Sequence, residues 1–206
     1  VHKNYRPFYK EMSLTDILLE KLVNVMDRKD IYLSCEVTDF AYVAEKWNIN
    51  YILREEKYTK LATNTVDVVR NVCKDVPGED DILYCSGMDP LFQDYESMFK
   101  IWEEVRNDHD SLNVIYPLKN YFLDQNHNPI GFGFGYWHKY SQYIPPIYQI
   151  SWANEILTRK SIERCGYMVG ENPYWFDAYN MTVDIDTEKD WELAKILYQY
   201  HREHEF

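Results

Sequence analysis

Apolar residues fall at two spacings along the chain, and the alternation between them sets the expected architecture. Ser13 followed by Asp16 makes a helix start. Leu14, Ile17, Leu18, Leu22, Val25 and Met26 then recur at helical intervals, predicting an amphipathic helix over about 14–28. A short apolar run, Ile31–Cys35, reads as a strand, and Thr38 opens a second helix whose Phe40, Ala41, Ala44 and Trp47 share a face. The rhythm continues with a strand at Tyr51–Leu53, a helix at Thr65–Lys74, a strand at Asp81–Cys85 and a helix at Asp94–Arg106. Such alternation predicts crossover units on a mostly parallel sheet flanked by helices, an α/β fold.

Past residue 112 the pattern changes. Ser111–Tyr116 reads as a strand, and Tyr121–Asp124 and Pro129–Phe134 flank the polar turn Gln125–Asn128 as an antiparallel hairpin. Within it, Gly131-Phe132-Gly133-Phe134-Gly135 has no helix after it, which fits a glycine-relieved hairpin strand and not a nucleotide loop. Residues 136–150, rich in Tyr and Trp, predict an irregular aromatic arm leading to a strand near Ile147–Ala153. A last strand, Met181–Ile185, is expected to run into a helix from Thr187 to about His201. No repeat or linker interrupts the chain, so residues 1–206 are expected to form one domain, with 117–150 as an excursion.

Composition narrows the function. With 34 acidic and 22 basic side chains, a formal charge of −12 argues against a protein that grips nucleic acid through its phosphates. Four scattered cysteines give no zinc-ligand spacing and fit a reduced, cytoplasmic protein. No run approaches the ~18 consecutive apolar residues of a membrane helix. The aromatic share of 17% is explained first by packing and subunit contact, and second by a base-stacking surface. The density in the arm predicts a homodimer.

The segment Val183-Asp184-Ile185-Asp186-Thr187-Glu188-Lys189-Asp190-Trp191 carries the candidate chemistry. On a strand, Asp184 and Asp186 project to one face, and at the C-terminal edge of an α/β sheet two such carboxylates can hold Mg²⁺ while nucleotide phosphates complete its shell. A second reading stands beside it: Asp186 or Thr187 caps the last helix, with Glu188 and Asp190 favouring its N-terminal dipole.

Asp184 to Ala194 resembles the closing motif of acylneuraminate cytidylyltransferases, which make CMP-activated sialic acids and related nonulosonic acids. The resemblance implies that Asp184 and Asp186 bind the catalytic magnesium. Elsewhere it is looser but keeps its order along the chain. Lys3-Asn4 followed by Arg6-Pro7-Phe8 is similar to the end of the family's nucleotide loop, and Ile31–Ala44 to its second strand and helix, with Glu36 in place of an aspartate. Leu61-Ala62-Thr63-Asn64-Thr65 is similar to a Leu-Ala-Thr-Asp-Thr stretch. Ser141-Gln142 and Pro145-Pro146-Ile147-Tyr148 are similar to elements near the acyl-sugar pocket.

Gly87-Met88-Asp89-Pro90-Leu91 is closer to the Gly-Asp-Glu-Pro-Leu segment of the enzymes that activate ketodeoxyoctonate, which makes Asp89 either a further metal-site carboxylate or a turn aspartate before proline; Phe92 stands where the sialic acid enzymes have arginine. The implied fold is a Rossmann-like nucleotidyltransferase domain with an antiparallel dimerisation arm. The implied reaction takes CTP and a sugar acid to a CMP-sugar and pyrophosphate, with Lys3 and Asn4 toward the nucleotide and Gln142 and Tyr148 toward the sugar. Lys3 also admits a reading as a merely solvated lysine.

Family members open with a buried strand and an Arg-Gly-Gly-Ser-Lys loop, of which only the tail, Lys3-Asn4, is found here. Two expectations follow. Either the chain begins downstream of its natural start and leaves a gap at the sheet centre, or another element closes the sheet; a gap would leave rows of unpaired backbone groups. Without a phosphate loop, turnover of CTP is expected to be weak. A noncatalytic homologue that binds a nucleotide sugar or a partner subunit is the alternative.

Overall fold

The structure, a computed structural model, describes residues 3–35, 40–59, 63–178 and 182–204. After a 3₁₀ turn at Lys3–Tyr5, strands β1 (Pro7–Tyr9) and β2 (Met12–Ser13) form a small antiparallel hairpin that sequence periodicity does not announce. Helix α1 (Leu14–Val25) starts on the expected signal. Ser13 accepts from the Asp16 amide, and the Asp16 carboxylate accepts from the Ser13 amide, a reciprocal capping box. Strand β3 (Tyr32–Cys35) and helix α2 (Ala41–Trp47) follow. Thr38, expected to open the second helix, lies outside the described residues, as do Glu36, Leu61 and Ala62.

Strand β4 (Asn50–Leu53) leads to helix α3 (Thr65–Lys74), whose N-cap Asn64 accepts from the Val66 amide at 2.9 Å. Strand β5 (Ile82–Cys85) precedes helix α4 (Tyr95–Val105), and strand β6 (Ser111–Leu118) begins where expected but runs two residues further. The hairpin is short: β7 (Phe122–Leu123) pairs β8 (Pro129–Ile130) alone. The glycine run after it is not a strand. Gly131 and Gly135 sit at φ of 77° and 64°, and a Cβ on Gly133 would lie 2.6 Å from that of Trp137, so the glycines fold the chain back on itself. Strand β9 (Ile147–Leu157), helix α5 (Arg159–Arg164), strand β10 (Pro173–Asp177) and helix α6 (Glu188–His204) complete the chain.

The last predicted strand is a second correction. Met181 lies outside the described residues; residues 182–186 pair with no strand among the described residues, and the Ile185 amide donates to the Met88 carbonyl at 3.4 Å. The strand that fills the sheet near the end is instead β10, five residues that alternate too weakly to be read from the sequence. α5 was likewise missed, because six residues give less than two helical turns.

The main sheet has the order β10-β6-β9-β5. β10 is parallel to β6, while β9 is antiparallel to both β6 and β5, so three strands run one way and β9 the other. β3 and β4 form a separate parallel pair, with Tyr32 opposite Asn50 and Cys35 opposite Leu53. Alternate residues of the main sheet serve two cores. Leu112, Val114, Tyr116 and Ile156 meet α1 and α4 through Leu19, Leu22, Met98 and Trp102; Leu157 faces Val69, Cys73 and Ile162 from α3 and α5. A third core joins the N-terminal hairpin to the last helix: Phe8 lies edge-on to Trp191 at 4.9 Å, with Leu14, Ile17, Ile185 and Tyr198 around them.

Candidate active site

The site residues near the two ends of the chain meet because the N-terminal turn packs on the start of α6. The Arg6 guanidinium stacks on the Trp191 ring, 3.6 Å from its centroid, and donates to Glu188 at 2.9 Å. Preceding it, the Lys3 ammonium donates to the Ile185 carbonyl and lies 3.9 Å from Asp186. Ile185 is the pivot. Its side chain is 1% exposed in the third core, which leaves its neighbours Asp184 and Asp186 outside that core, the first half-buried and the second exposed.

The helix start makes its own arrangements. Thr187 and Asp190 form a reciprocal cap: the Asp190 carboxylate accepts from the Thr187 amide and hydroxyl, both at 2.7 Å, and the Asp190 amide donates to the Thr187 hydroxyl at 3.3 Å. The dipole reading and the site reading of this segment therefore fall on different residues. Thr187 and Asp190 hold the helix, and neither Asp184 nor Asp186 is used as the cap.

Asp184 is held above the ordinary carboxyl value, first by burial and then by the neighbouring Asp186 charge, with Lys3 pulling the other way and Asp89 and Asp190 adding to the rise. Among the described residues no hydrogen bond satisfies its carboxylate. A half-buried carboxylate crowded by a second one is an arrangement that a divalent cation with oxygen preference would relieve, as the Lys3 ammonium 3.9 Å from Asp186 does in part. No group of three or more His, Cys, Asp or Glu side chains that could hold a metal ion occurs among the described residues, so a cation here would complete its shell with other oxygens, of carbonyls, ligand or water.

Asp89 sits on the loop after β5. The loop is pressed on the start of α1, where a Cβ on Gly87 would lie 3.2 Å from the Leu14 backbone. Both Asp89 oxygens are engaged within the protein: Oδ2 accepts from the Tyr116 hydroxyl at 2.6 Å and from Ser151 at 3.4 Å, and Oδ1 accepts from the Phe92 amide at 3.2 Å. Burial raises its pKa, opposed by the Tyr116 bond, by Lys21 and by a bond from Thr182. Lys21 donates to the carbonyls of Pro90 at 2.5 Å and Phe92 at 2.7 Å, and burial lowers its pKa to about 8 against the pull of Asp89 and Glu20. This lysine, missed in the sequence as an ordinary helix position, fixes the loop that carries Asp89.

Asn4 lies beside Lys3, with its carbonyl accepting from Thr15 at 2.9 Å and its buried Oδ1 unpartnered. Gln142 and Tyr148 are elsewhere. Gln142 is exposed on the 3₁₀ turn Ser141–Tyr143, and Tyr148 is 46% exposed opposite Pro117 on the sheet; no described bond joins either to the carboxylate pair. The arm around Gln142 presents Tyr136 at 93%, Trp137 at 74% and Tyr140 at 68% exposure.

No family model matches the sequence, and no curated protein does. Solved structures do match in shape. A glucose-1-phosphate thymidylyltransferase from Bacillus anthracis in complex with sucrose superposes with a TM-score of 0.65 at 12% identity, over 97% of this chain and 87% of that one. CMP:2-keto-3-deoxy-manno-octonic acid synthetase complexed with CTP gives 0.64 at 10% identity, over 95% and 92%. The 4-diphosphocytidyl-2C-methyl-D-erythritol synthase of Anaerococcus prevotii DSM 20548 gives 0.62 at 13% identity, over 92% and 87%. The chain has the mixed α/β fold that these nucleotidyltransferases share.

Proposed function

We propose that the protein is a cytidylyltransferase that transfers CMP from CTP to a nonulosonic, sialic-acid-like sugar acid and releases pyrophosphate. The observation that carries this reading is the convergence of Lys3, Asp184 and Asp186, drawn from opposite ends of the chain onto one spot beside the loop that follows β5. In the reaction the anomeric hydroxyl oxygen of the sugar bonds to the α-phosphorus, the bond from that phosphorus to the pyrophosphate oxygen breaks, and the hydroxyl proton leaves to solvent. Bound Mg²⁺ would supply charge neutralisation for the phosphates, with Asp184 and Asp186 holding it. Lys3 would shift from the Ile185 carbonyl to phosphate, the Asn4 Oδ1 would accept from a hydroxyl or amino group of the nucleotide, and Gln142 and Tyr148 would meet the sugar acid. Asp89 would serve by shaping the loop under the nucleotide. The exposed aromatic arm fits a contact with a second copy of the chain, making a homodimer.

One observation favours a noncatalytic reading, in which the same fold binds a nucleotide sugar or a partner subunit. The one ammonium described next to the carboxylate pair is already engaged by a carbonyl. Calorimetry of CTP with and without Mg²⁺, on this chain and on the Asp184→Ala/Asp186→Ala variant, separates the two. Binding that requires Mg²⁺ and is lost in the variant supports the cytidylyltransferase. Binding that ignores both Mg²⁺ and the substitutions, or no binding at all, overturns it.

A further inference from the structure

Asp184 and Asp186 stand on a stretch that has no ladder to fix it. Residues 182–186 form neither helix nor strand, and neither does the loop between β5 and α4 that lies beside them. Two features of that loop reach the residue between the carboxylates. The Met88 carbonyl accepts from the Ile185 amide at 3.4 Å, and Leu91, 4% exposed, shares the third core with Ile185 and Trp191. Whatever sets the loop therefore sets Ile185, and with it the residue on either side. Lys3 holds the Ile185 carbonyl as well, but leaves it for phosphate in the proposed reaction; the loop is the anchor that stays.

The loop is gripped from α1. The Lys21 ammonium donates to the Pro90 carbonyl at 2.5 Å and to the Phe92 carbonyl at 2.7 Å, one on each side of Leu91. Bonds from a cation are stronger than those from neutral donors, and two of them leave little freedom to the residue between. Glu20, next to Lys21 on the helix, is paired with Arg202 at 3.0 Å instead. We infer that Lys21 is a positioning residue for the Asp184 and Asp186 pair: it fixes the depth of Leu91 in the third core, Leu91 and the Met88 carbonyl place Ile185, and Ile185 presents the two carboxylates together. The role of the pair rests on the proposed function. The placement of Ile185 by Lys21 does not, and the two are read by different measurements.

Amide exchange at Ile185, followed by NMR, reads the placement, and titration with Mn²⁺, followed by the loss of its free EPR signal, reads the carboxylate pair. Lys21→Met removes both bonds and Lys21→Gln keeps a donor on a shorter stem, while Leu19→Ala opens a cavity in the first core from the same helix and measures general destabilisation. The Ile185 amide should exchange roughly tenfold faster in Lys21→Met, the scale of one charge-assisted bond, and by a smaller factor in Lys21→Gln, with the Trp191 amide on α6 unchanged in both. Mn²⁺ should bind roughly tenfold more weakly to Lys21→Met, as when a residue supporting a metal ligand is lost, and as tightly to Leu19→Ala as to the parent. The inference is overturned if Ile185 exchanges no faster relative to Trp191 in the lysine variants, if Leu19→Ala speeds Ile185 as much, or if a parent that binds Mn²⁺ loses none of that affinity in Lys21→Met. A parent that takes up no Mn²⁺ overturns the metal reading alone, and the Ile185 amide then decides the role of Lys21. Should Lys21→Met fail to fold, Lys21→Gln decides it by the same comparison.

Discussion

The Tyr116 hydroxyl donates to Asp89 Oδ2 at 2.6 Å, linking β6 to the loop after β5 across the buried face of the sheet. Removing that donor takes away the shortest bond to a buried carboxyl oxygen, which keeps the longer Ser151 contact. Tyr116→Phe should therefore lower stability by about 1–3 kcal/mol, measured by urea unfolding, while Asp89→Asn in the same background should recover part of the loss.

Asp16 predicts an acid limb. Burial works to raise its pKa, but bonds from Lys46 at 2.6 Å, from Ser13 and from the Trp47 indole at 2.8 Å outweigh it and hold the value at about 2. The folded value lies below the ordinary 3.8, so this stability is present above pH 3.8 and is lost as pH falls through about 2. Asp16→Asn should cost about 1–3 kcal/mol at neutral pH and little near pH 2, with Trp47 fluorescence following the release of α2 from α1.

Glu155 predicts the opposite slope. It is 0% exposed, neither carboxyl oxygen has a hydrogen-bond partner, and burial alone raises its pKa well above the ordinary 4.5. From pH 4.5 upward the unfolded chain gives up this proton while the folded protein keeps it, so stability falls as pH rises through that window. Glu155→Gln should be the more stable protein at pH 8, on the order of 1 kcal/mol or more, and the advantage should shrink toward pH 4.5. A gap between the two proteins that stays constant from pH 4.5 to 8 would count against a protonated Glu155.

The arm predicts an association state. Tyr136→Ser/Trp137→Ser removes the two most exposed aromatic rings while touching no buried core residue. Sedimentation velocity should find a dimer of the parent chain converted to monomer, with the melting temperature of the variant matching that of the parent once the parent is diluted to monomer.

Much of this architecture could be read from the sequence where local signals were strong. The Ser13–Asp16 cap, the Thr65–Lys74 helix and the β5 to α4 succession each rest on neighbours within a few residues. β10 could not be read this way, since Pro173–Asp177 becomes a strand only by lying along β6, more than fifty residues earlier. The segment 182–186 misled for the same reason: alternating Val183, Asp184, Ile185 and Asp186 mimic a strand, yet the burial of Ile185 in a helix-bounded core supplies the alternation without any ladder. The resemblance puts Lys3 toward the nucleotide and Asp186 on the metal, and their approach to 3.9 Å is seen only in the structure, because no periodicity connects residues at opposite ends of a chain.

The Thr187–Asp190 cap has a consequence for descent as well as for folding. The residues that start the last helix and those that crowd charge beside Lys3 are adjacent in sequence but separate in duty. A lineage could lose, retune or regain the carboxylates at 184 and 186 while the helix behind them kept its beginning, so the scaffold can outlive its chemistry and can also acquire it anew.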